Sequence, residues 1–387
     1  MQPADHLQNM SPSYIREILK AATAENVISL AGGLPAAEHF PMALLQQPLQ
    51  QISQSPELFQ YGATAGYQPL LDFCAEHYQL ETGNSGLITT GSQQGLDLIA
   101  RAFLNPGDGV AMEAPCYLGA LQVFELAKAE LFTVEQSDSG PDLVALEQLF
   151  AKGNIKIFYA VPDFHNPTGR VWPLAARQAV AKLCQRYKVG LIEDAPYREL
   201  RYHGDALPMV SSFCPEQAWI LRSFSKIALP GIRLAFISGP QNWIDPLIKI
   251  KQASDLHSPI PLQALLLGLL KSSEFNNHLL KLREQYAERY QALSGALDKY
   301  LGDKISFQQV EGGMFLWLEL NQKNDQPINT MKLAERALEN NVAVVPGEVF
   351  YPVGQLSRPA LRLNFSHASP QQLEIAIQRL VKAFDRQ

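Results

Sequence analysis

Cysteine is scarce in this chain of 387 residues, which has four cysteines. Cys74, Cys116, Cys184 and Cys214 lie far apart and lack the close spacing of metal ligands. The eight histidines are equally scattered, so we predict no metal site. Few and widely separated cysteines of this kind usually pack as small apolar residues and are typical of proteins in a reducing compartment. We therefore expect a cytoplasmic protein.

Long apolar runs and blocks of charge are also absent. No run reaches membrane-spanning length, and the first residues lack the basic and apolar segments of a signal peptide. A net charge of −6 provides no basic footprint for nucleic acid. We therefore expect neither a membrane nor a nucleic-acid partner. The length is sufficient for a large core divided between two domains.

Short apolar runs from residue 87 onward alternate with segments of helical periodicity. Runs that are apolar throughout predict strands covered on both faces, hence a mainly parallel sheet between helices. The runs are LITT, VAMEA, LFTV, IKIFYAV, VGLIED, AWILR and RLAFIS. About ten residues separate the last two, fewer than a helical crossover needs, so RLAFIS should lie antiparallel to its neighbour. The predicted fold class is α/β, with a seven-stranded sheet in a large domain.

The C-terminal third of the chain predicts a second, smaller unit. A long helical segment leads into further strand patterns and a closing helix, which indicates a small α+β domain shared with the N-terminal arm. We predict that residues 1–45 form the arm and part of the small domain, 46–275 the large domain, and 276–387 the small domain.

The stretch 218–239 carries the most chemical information. An apolar run is followed by Ser223, Ser225, Lys226 and a Pro-Gly turn that leads to Arg233. A lysine near other cations and away from water loses pKa and can form a Schiff base with a carbonyl. Two hydroxyls and a guanidinium suit a phosphate. Together they suggest pyridoxal 5'-phosphate (PLP), whose aldehyde and phosphate lie at opposite ends of a small ring. A solvated turn is the alternative.

Polar residues follow other predicted strands, at the edge where parallel sheets bind ligands. Ser92 opens a helix whose N-terminus attracts phosphate. Tyr117 can stack on a flat ring, and Asn166 can donate to a phenolic oxygen. Asp194 can keep a pyridine nitrogen protonated, while Tyr197 can hydrogen-bond the same phenolic oxygen as Asn166. For each residue, a cap, a turn or ordinary core packing is the alternative.

These motifs together resemble those of PLP-dependent aminotransferases of fold type I, the aspartate aminotransferase superfamily (class I/II). The N-terminus is most similar to the 2-aminoadipate/kynurenine aminotransferase-like branch. The resemblance covers nearly the whole chain and rests on S-x-S-K-x-x-x-P-G-x-R, G-S-Q-Q, N-P-T-G, D-x-x-Y and R-x-N-F, which occur in the family's order. One departure is Ala235, where the lysine motif has glycine.

The resemblance implies how the cofactor is held. Lys226 is the catalytic residue that carries PLP as a Schiff base, and the Ser92 and Gln93 backbone contacts the phosphate. A tyrosine in the position of Tyr61 reaches the phosphate in a neighbouring subunit, which implies a homodimer with shared active sites.

The resemblance also implies the substrate-binding residues. Arg362 binds the substrate α-carboxylate in a bidentate manner, and Asn166 lies beside it. Gly33 belongs to a loop that allows close backbone approach, although a plain turn is the alternative. Arg16, on a short helix, faces the substrate side chain and favours acidic ones. An arginine on a helix or strand face is otherwise usually solvated.

We therefore predict an amino-acid aminotransferase, a PLP-dependent transaminase. It moves an amino group between an L-amino acid and a 2-oxo acid, with glutamate, 2-aminoadipate or aromatic amino acids as donors. A lyase or synthase reaction of the same fold type is the nearest alternative, because the cofactor-binding residues do not dictate which bond breaks. The PLP-binding sensor module of a MocR-like regulator is a further alternative, disfavoured by the short arm and the negative charge.

Overall fold

A computed structural model of the chain describes residues 14–321, 328–355 and 357–384. Its strands are β1 Ile28–Ser29, β2 Asn84–Thr89, β3 Gly109–Ala114, β4 Glu130–Ser137, β5 Gly140–Pro141, β6 Ile155–Ala160, β7 Gly190–Asp194, β8 Ala218–Ser223, β9 Ala235–Pro240, β10 Ile305–Phe307, β11 Phe315–Leu320, β12 Val342–Ala343, β13 Val345–Pro346 and β14 Ala360–Asn364. Its α-helices are α1 Tyr14–Ala21, α2 Gln46–Ser53, α3 Gln68–His77, α4 Ser92–Phe103, α5 Leu118–Leu126, α6 Leu143–Ala151, α7 Leu174–Tyr187, α8 Gln241–Ser254, α9 Ile260–Leu270, α10 Phe275–Tyr300, α11 Thr330–Glu339 and α12 Pro370–Phe384.

The large sheet has the strand order β2-β9-β8-β7-β6-β3-β4-β5. The predicted runs form seven of these strands, and β9 is antiparallel to both neighbours, which confirms the prediction for RLAFIS. The sheet has eight strands rather than seven, because the two-residue β5 pairs with the end of β4. A strand of two residues is too short for a periodic pattern, so its sequence carries no strand signal.

Helices cover both faces of this sheet, as the uniformly apolar strands predict. Ile157 of β6 packs in a cluster with Leu96 of α4, whereas its neighbour Phe158 packs in another with Leu146 of α6 and Val180 of α7. Burial of each such side chain contributes about 1.5–3 kcal/mol. The strands are therefore held from both sides, and their ends are fixed in space.

The carboxyl ends of six strands lie at one edge of the sheet. Strands β3, β4, β6, β7 and β8 are parallel, and β2 has the same direction because β9 is antiparallel to both β2 and β8. The polar segments that follow these strands are thus brought together, at the edge where such sheets bind ligands.

A second sheet, of order β10-β11-β14-β13, is antiparallel, and β1 pairs in parallel with β12. All five residues of β14 are buried, and Arg362 is 2% exposed. Its register partners are Trp317 of β11 and Val345 of β13. The buried environment excludes the alternative of a solvated arginine at this position.

The predicted boundary between residues 275 and 276 falls at the start of α10. The division into three segments stays a prediction. Within the described ranges, no helix is long and apolar enough to cross a membrane.

Candidate active site

A cavity of about 230 Å³ lies at the carboxyl edge of the large sheet, between that sheet and the smaller one. Of the predicted site residues whose side chains are described, it contains all except Tyr61. Its lining residues are Gly33, Ser92, Gln93, Tyr117, Tyr159, Val161, Asn166, Asp194, Pro196, Tyr197, Ser223, Ser225, Lys226, Arg233, Phe315 and Arg362. Residues from positions 33 to 362 of the chain thus line one small space.

Lys226 lies in the turn that follows β8, and its Nζ donates to the carbonyl oxygen of Gly33 at 2.7 Å. Burial lowers the pKa of Lys226 from its ordinary value of 10.5 to about 8, with smaller contributions from Arg233 and Arg362. A substantial fraction of the amine is therefore unprotonated at mildly alkaline pH. Such an amine is a nucleophile toward a carbonyl carbon.

Arg233 and the N-terminus of α4 form the cationic end of the cavity. Arg233 Nη1 lies 3.4 Å from Ser225 Oγ, and the helix begins at Ser92 directly after Gly91. Gly91 has φ of +81°, and a Cβ there would lie 2.4 Å from Arg233 Nη2. Only glycine therefore allows the guanidinium to pass so close to the helix start. Free N–H groups, a helix dipole and a guanidinium together form a site for an anion.

Asp194 also lines the cavity, at the end of β7. Its Oδ2 accepts a hydrogen bond from the Tyr159 hydroxyl at 2.7 Å. Its Oδ1 is buried and has no hydrogen-bond partner among the described residues. Burial raises the pKa of Asp194 to about 7, and the hydrogen bond from Tyr159 partly offsets that rise. A cationic N–H placed at Oδ1 would satisfy the carboxylate and favour its charged form.

Asn166 connects the turn after β6 to β14. Its Oδ1 accepts from Arg362 Nη1 at 2.9 Å, and its Nδ2 lies 3.5 Å from the Tyr197 hydroxyl oxygen. Arg362 also donates to the carbonyl oxygen of Ala31, and its guanidinium carbon lies 4.4 Å from the ring centroid of Phe315.

The Arg362 guanidinium is almost fully buried, and its Nε has no hydrogen-bond partner in the described part of the chain. Burial lowers the pKa of Arg362 to about 10, so the guanidinium remains charged at neutral pH. No carboxylate forms an ion pair with it among the described residues. A buried, unpaired cation of this kind can bind a carboxylate from a small molecule.

Tyr117 precedes α5 and its ring lines the cavity, half-buried, with a pKa that burial raises to about 12. Gly119 makes room for it, since a Cβ there would lie 2.6 Å from Tyr117 Cζ. Tyr61 lies away from this cavity, is 80% exposed and contacts His257 edge to face at 6.0 Å. The backbone of Arg16 belongs to α1, and the prediction for its side chain lies outside the described residues.

Four residues that line the cavity were not predicted from the sequence, namely Tyr159, Val161, Pro196 and Phe315. Tyr159 makes the sole described hydrogen bond to the Asp194 carboxylate, yet it lies within an apolar strand run, where a tyrosine ordinarily indicates core packing. The one feature of the sequence that pointed to Tyr159 was its hydroxyl group within a run predicted to be buried. A buried hydroxyl group needs a hydrogen-bond partner.

The chain matches the family described as Aminotransferase class I and II over residues 25–380. It is 37% identical to a 2-aminoadipate transaminase of Thermus thermophilus, covering 96% of this chain and 93% of the relative. It is 34% identical to aromatic-amino-acid aminotransferase 1 of Thermococcus litoralis, covering 96% and 91%.

Among solved structures, the fold matches Pyrococcus horikoshii kynurenine aminotransferase in complex with PMP, KYN and KYA. The TM-score is 0.93 at 32% identity, covering 99% of this chain and 97% of that structure. Because the family match extends over nearly the whole sequence and a relative shares 37% identity across 96% of it, this chain belongs to the class I and II aminotransferases and is a transaminase.

Proposed function

We propose that this transaminase binds PLP in the cavity at the carboxyl edge of the large sheet, with Lys226 as the residue that holds it covalently. The phosphate is assigned to the α4 N-terminus (Ser92 and Gln93), with Ser225 and Arg233. Ser223, which also lines this end, contributes a hydroxyl to the phosphate site.

The unpaired Oδ1 of Asp194 is the observation that carries this proposal. A buried carboxylate oxygen without a partner costs about 1–3 kcal/mol, and the pyridine nitrogen of PLP, when protonated, supplies the missing donor. Lys226 and the cationic end line the same cavity. The residues present therefore fit the aldehyde, the ring nitrogen and the phosphate of one cofactor.

Bound PLP supplies an electron sink for the bond pair released at the substrate α-carbon. Asp194 holds a proton at the ring nitrogen, which strengthens that sink. With PLP bound, Lys226 Nζ would accept the α-proton and return it as a general acid. Asn166 and Tyr197 would hold the phenolic oxygen by hydrogen bonds.

Two further residues orient the reactants. Arg362, which is buried, charged and without an ion-pair partner among the described residues, binds the substrate α-carboxylate. Its Nη1 donates to Asn166, the residue proposed to hold the phenolic oxygen, which supports a substrate site beside that oxygen. Gly33, whose carbonyl oxygen accepts from Lys226, would line the substrate site, and Tyr117 would hold the cofactor ring and exclude water from it.

The visible absorption spectrum of the purified protein tests this assignment. The cofactor band should fall when a single L-amino acid is added without an oxo acid, and return when a 2-oxo acid follows. Asp194→Asn should keep the band but convert at least about 100-fold more slowly. A band that shifts without converting would indicate a lyase, synthase or sensor. Absence of a band with added PLP would overturn the assignment of Lys226.

We also propose that the donors are glutamate, 2-aminoadipate or aromatic amino acids. Relatives named for 2-aminoadipate and for aromatic amino acids support both classes. Arg16 is the proposed determinant of the acidic class. Arg16→Ala should reduce kcat/KM for 2-aminoadipate far more than for leucine, and equal losses would contradict its role.

A homodimer with shared active sites, in the cytoplasm, completes the proposal. Tyr61 and Phe59 are 80% and 65% exposed, respectively, on one short segment. Exposed aromatic side chains of this kind are enriched at protein interfaces. The proposed partners are amino acids, 2-oxo acids and a second copy of this chain.

A further inference from the structure

Lys251 is a fully buried lysine outside the cavity, and its ammonium group is completely paired. Its exposed fraction is 0%, and Nζ donates to Gln94 Oε1 at 3.0 Å, to Ser258 Oγ at 3.1 Å and to both carboxylate oxygens of Asp255 at 2.9 Å. Burying a lysine is costly unless it is paired and hydrogen-bonded. Such an arrangement fixes the positions of all the groups that it joins.

Those groups flank the start of α4, where the phosphate is assigned. The Thr90 N–H donates to Gln94 Oε1 at 2.8 Å, so the same oxygen accepts from Lys251 and from the turn. Gln94 Nε2 donates to Asp255 Oδ2 at 2.7 Å, and Thr90 Oγ1 lies 3.0 Å from Ser258 Oγ. Residues 90 and 94 are thereby held on either side of Ser92 and Gln93.

The same cluster reaches the segment that carries Tyr61. The Gly62 N–H donates to His257 Nε2 at 3.3 Å, so the proton of a neutral His257 ring lies on Nδ1, which donates to the Ser258 carbonyl oxygen at 3.0 Å. The Tyr61 ring packs edge to face on His257. One turn, 255–258, therefore contacts both elements that the proposed function assigns to a phosphate.

We propose that Lys251 is a positioning residue for cofactor phosphate: with Asp255 and Ser258 it locks the turn 90–94 in the conformation that presents the α4 N–H groups to the phosphate. The proposal rests on the proposed PLP site. Lys251 lies behind the turn and lines no part of the cavity in the described chain. Its effect is therefore on the geometry of the turn rather than on the reacting atoms.

The test compares the affinities of full-length apoprotein for PLP and for pyridoxal, which lacks the phosphate. Lys251→Met should raise the Kd for PLP by at least about tenfold, because the turn 90–94 loses the hydrogen bonds that hold it in place. The Kd for pyridoxal should change less than threefold. Lys249→Met is the matched control, since Lys249 lies on the same helix and is exposed. It should leave both affinities unchanged.

A general loss of stability would weaken PLP and pyridoxal alike, and that result would overturn the proposal. If Lys251→Met does not fold, Asp255→Asn, which keeps the shape and removes the charge, should lower the preference for PLP over pyridoxal in the same direction. An unchanged preference in that variant would also overturn it. If the unsubstituted chain shows no preference for PLP, the proposed function itself fails, and the two failures are distinguishable.

Discussion

Lys226, Asp194 and Arg362 are ionisable residues that the fold removes from water within one cavity. Burial lowers the pKa of the lysine and of the arginine and raises the pKa of the aspartate. Each shift disfavours the charged form, and each is relieved by a ligand of complementary charge or chemistry. An amino acid bound to PLP offers such partners, namely a carboxylate for the arginine and a protonated ring nitrogen for the aspartate. Perturbed groups that cluster in this way are typical of active sites.

The lowered pKa of Lys226 predicts the pH dependence of PLP incorporation. Below a pH of about 8 the amine is increasingly protonated and loses its nucleophilicity, so the rate should fall as pH falls through that value. The measurement is the rate at which the visible band appears after PLP is added to full-length apoprotein. Arg362→Leu should move the midpoint upward, because Arg362 contributes to the lowering. A midpoint near 10.5 would contradict the burial of this amine.

At the scale of elements, the site depends on the start of α4 and the turn after β8, which lie on neighbouring parts of the sheet. β2 leads into α4, β8 leads into Lys226, and both strands pair with β9. The close approach of Arg233 to Gly91 is the point where the two turns meet. A small change in backbone shape at either turn therefore alters the anion site.

Gly91→Ala tests that contact. The added Cβ meets Arg233 Nη2 and the residue must keep φ near +81°, so the free energy of unfolding should fall by about 1–3 kcal/mol. PLP affinity should fall as well, because the guanidinium is displaced. Unfolding by denaturant and PLP titration measure the two effects.

Gly231→Ala is the matched control, since Gly231 lies in the Pro-Gly turn before Arg233 and a Cβ there meets nothing within 4 Å. It should change the free energy of unfolding by less than about 0.5 kcal/mol. Equal effects of the two substitutions would show that the contact at Gly91 is unimportant.

At the scale of the whole molecule, the single chain supplies all of the proposed cofactor contacts except Tyr61. That side chain is exposed, and the cavity of its own chain is lined by other residues. A contact from Tyr61 to a phosphate therefore requires a second copy of the chain. The mass of the protein measured by sedimentation should be twice the 42.9 kDa of one chain.

Mixed subunits of Lys226→Ala and Tyr61→Ala chains test whether the sites are shared. If Tyr61 acts across the interface, the hybrid contains one complete site, with Lys226 from one chain and Tyr61 from the other. Transaminase activity should then exceed that of either parent variant by at least about tenfold at limiting PLP. If Tyr61 acts within its own chain, or not at all on the cofactor, mixing restores nothing.

The order of strands and motifs along the chain was predictable because each strand and each motif is a local pattern in the sequence. Apolar runs mark buried strands, and Ser-x-Ser-Lys, Asn-Pro-Thr-Gly and Asp-x-x-Tyr follow those runs directly in the chain. The antiparallel β9 followed from the short connection before it. β5 and the hydrogen bond from Tyr159 to Asp194 were missed, the first because two residues have no period and the second because 35 residues separate its partners.

The amino-acid sequence alone determined the α/β fold class, the residue types of the site and the family resemblance, since each depends on short segments and their spacing. Tertiary structure decided which groups are left unpaired or unusually paired. Among the described residues, Asp194 Oδ1 lacks a hydrogen-bond partner, Arg362 is buried without a carboxylate partner, and Lys251 joins residues 90–94 to the turn 255–258. These features depend on contacts between residues as many as 331 positions apart, as for Ala31 and Arg362. Such contacts are set by how the two sheets and their helices pack, because sequence spacing fixes the order of segments and leaves their distances in space open.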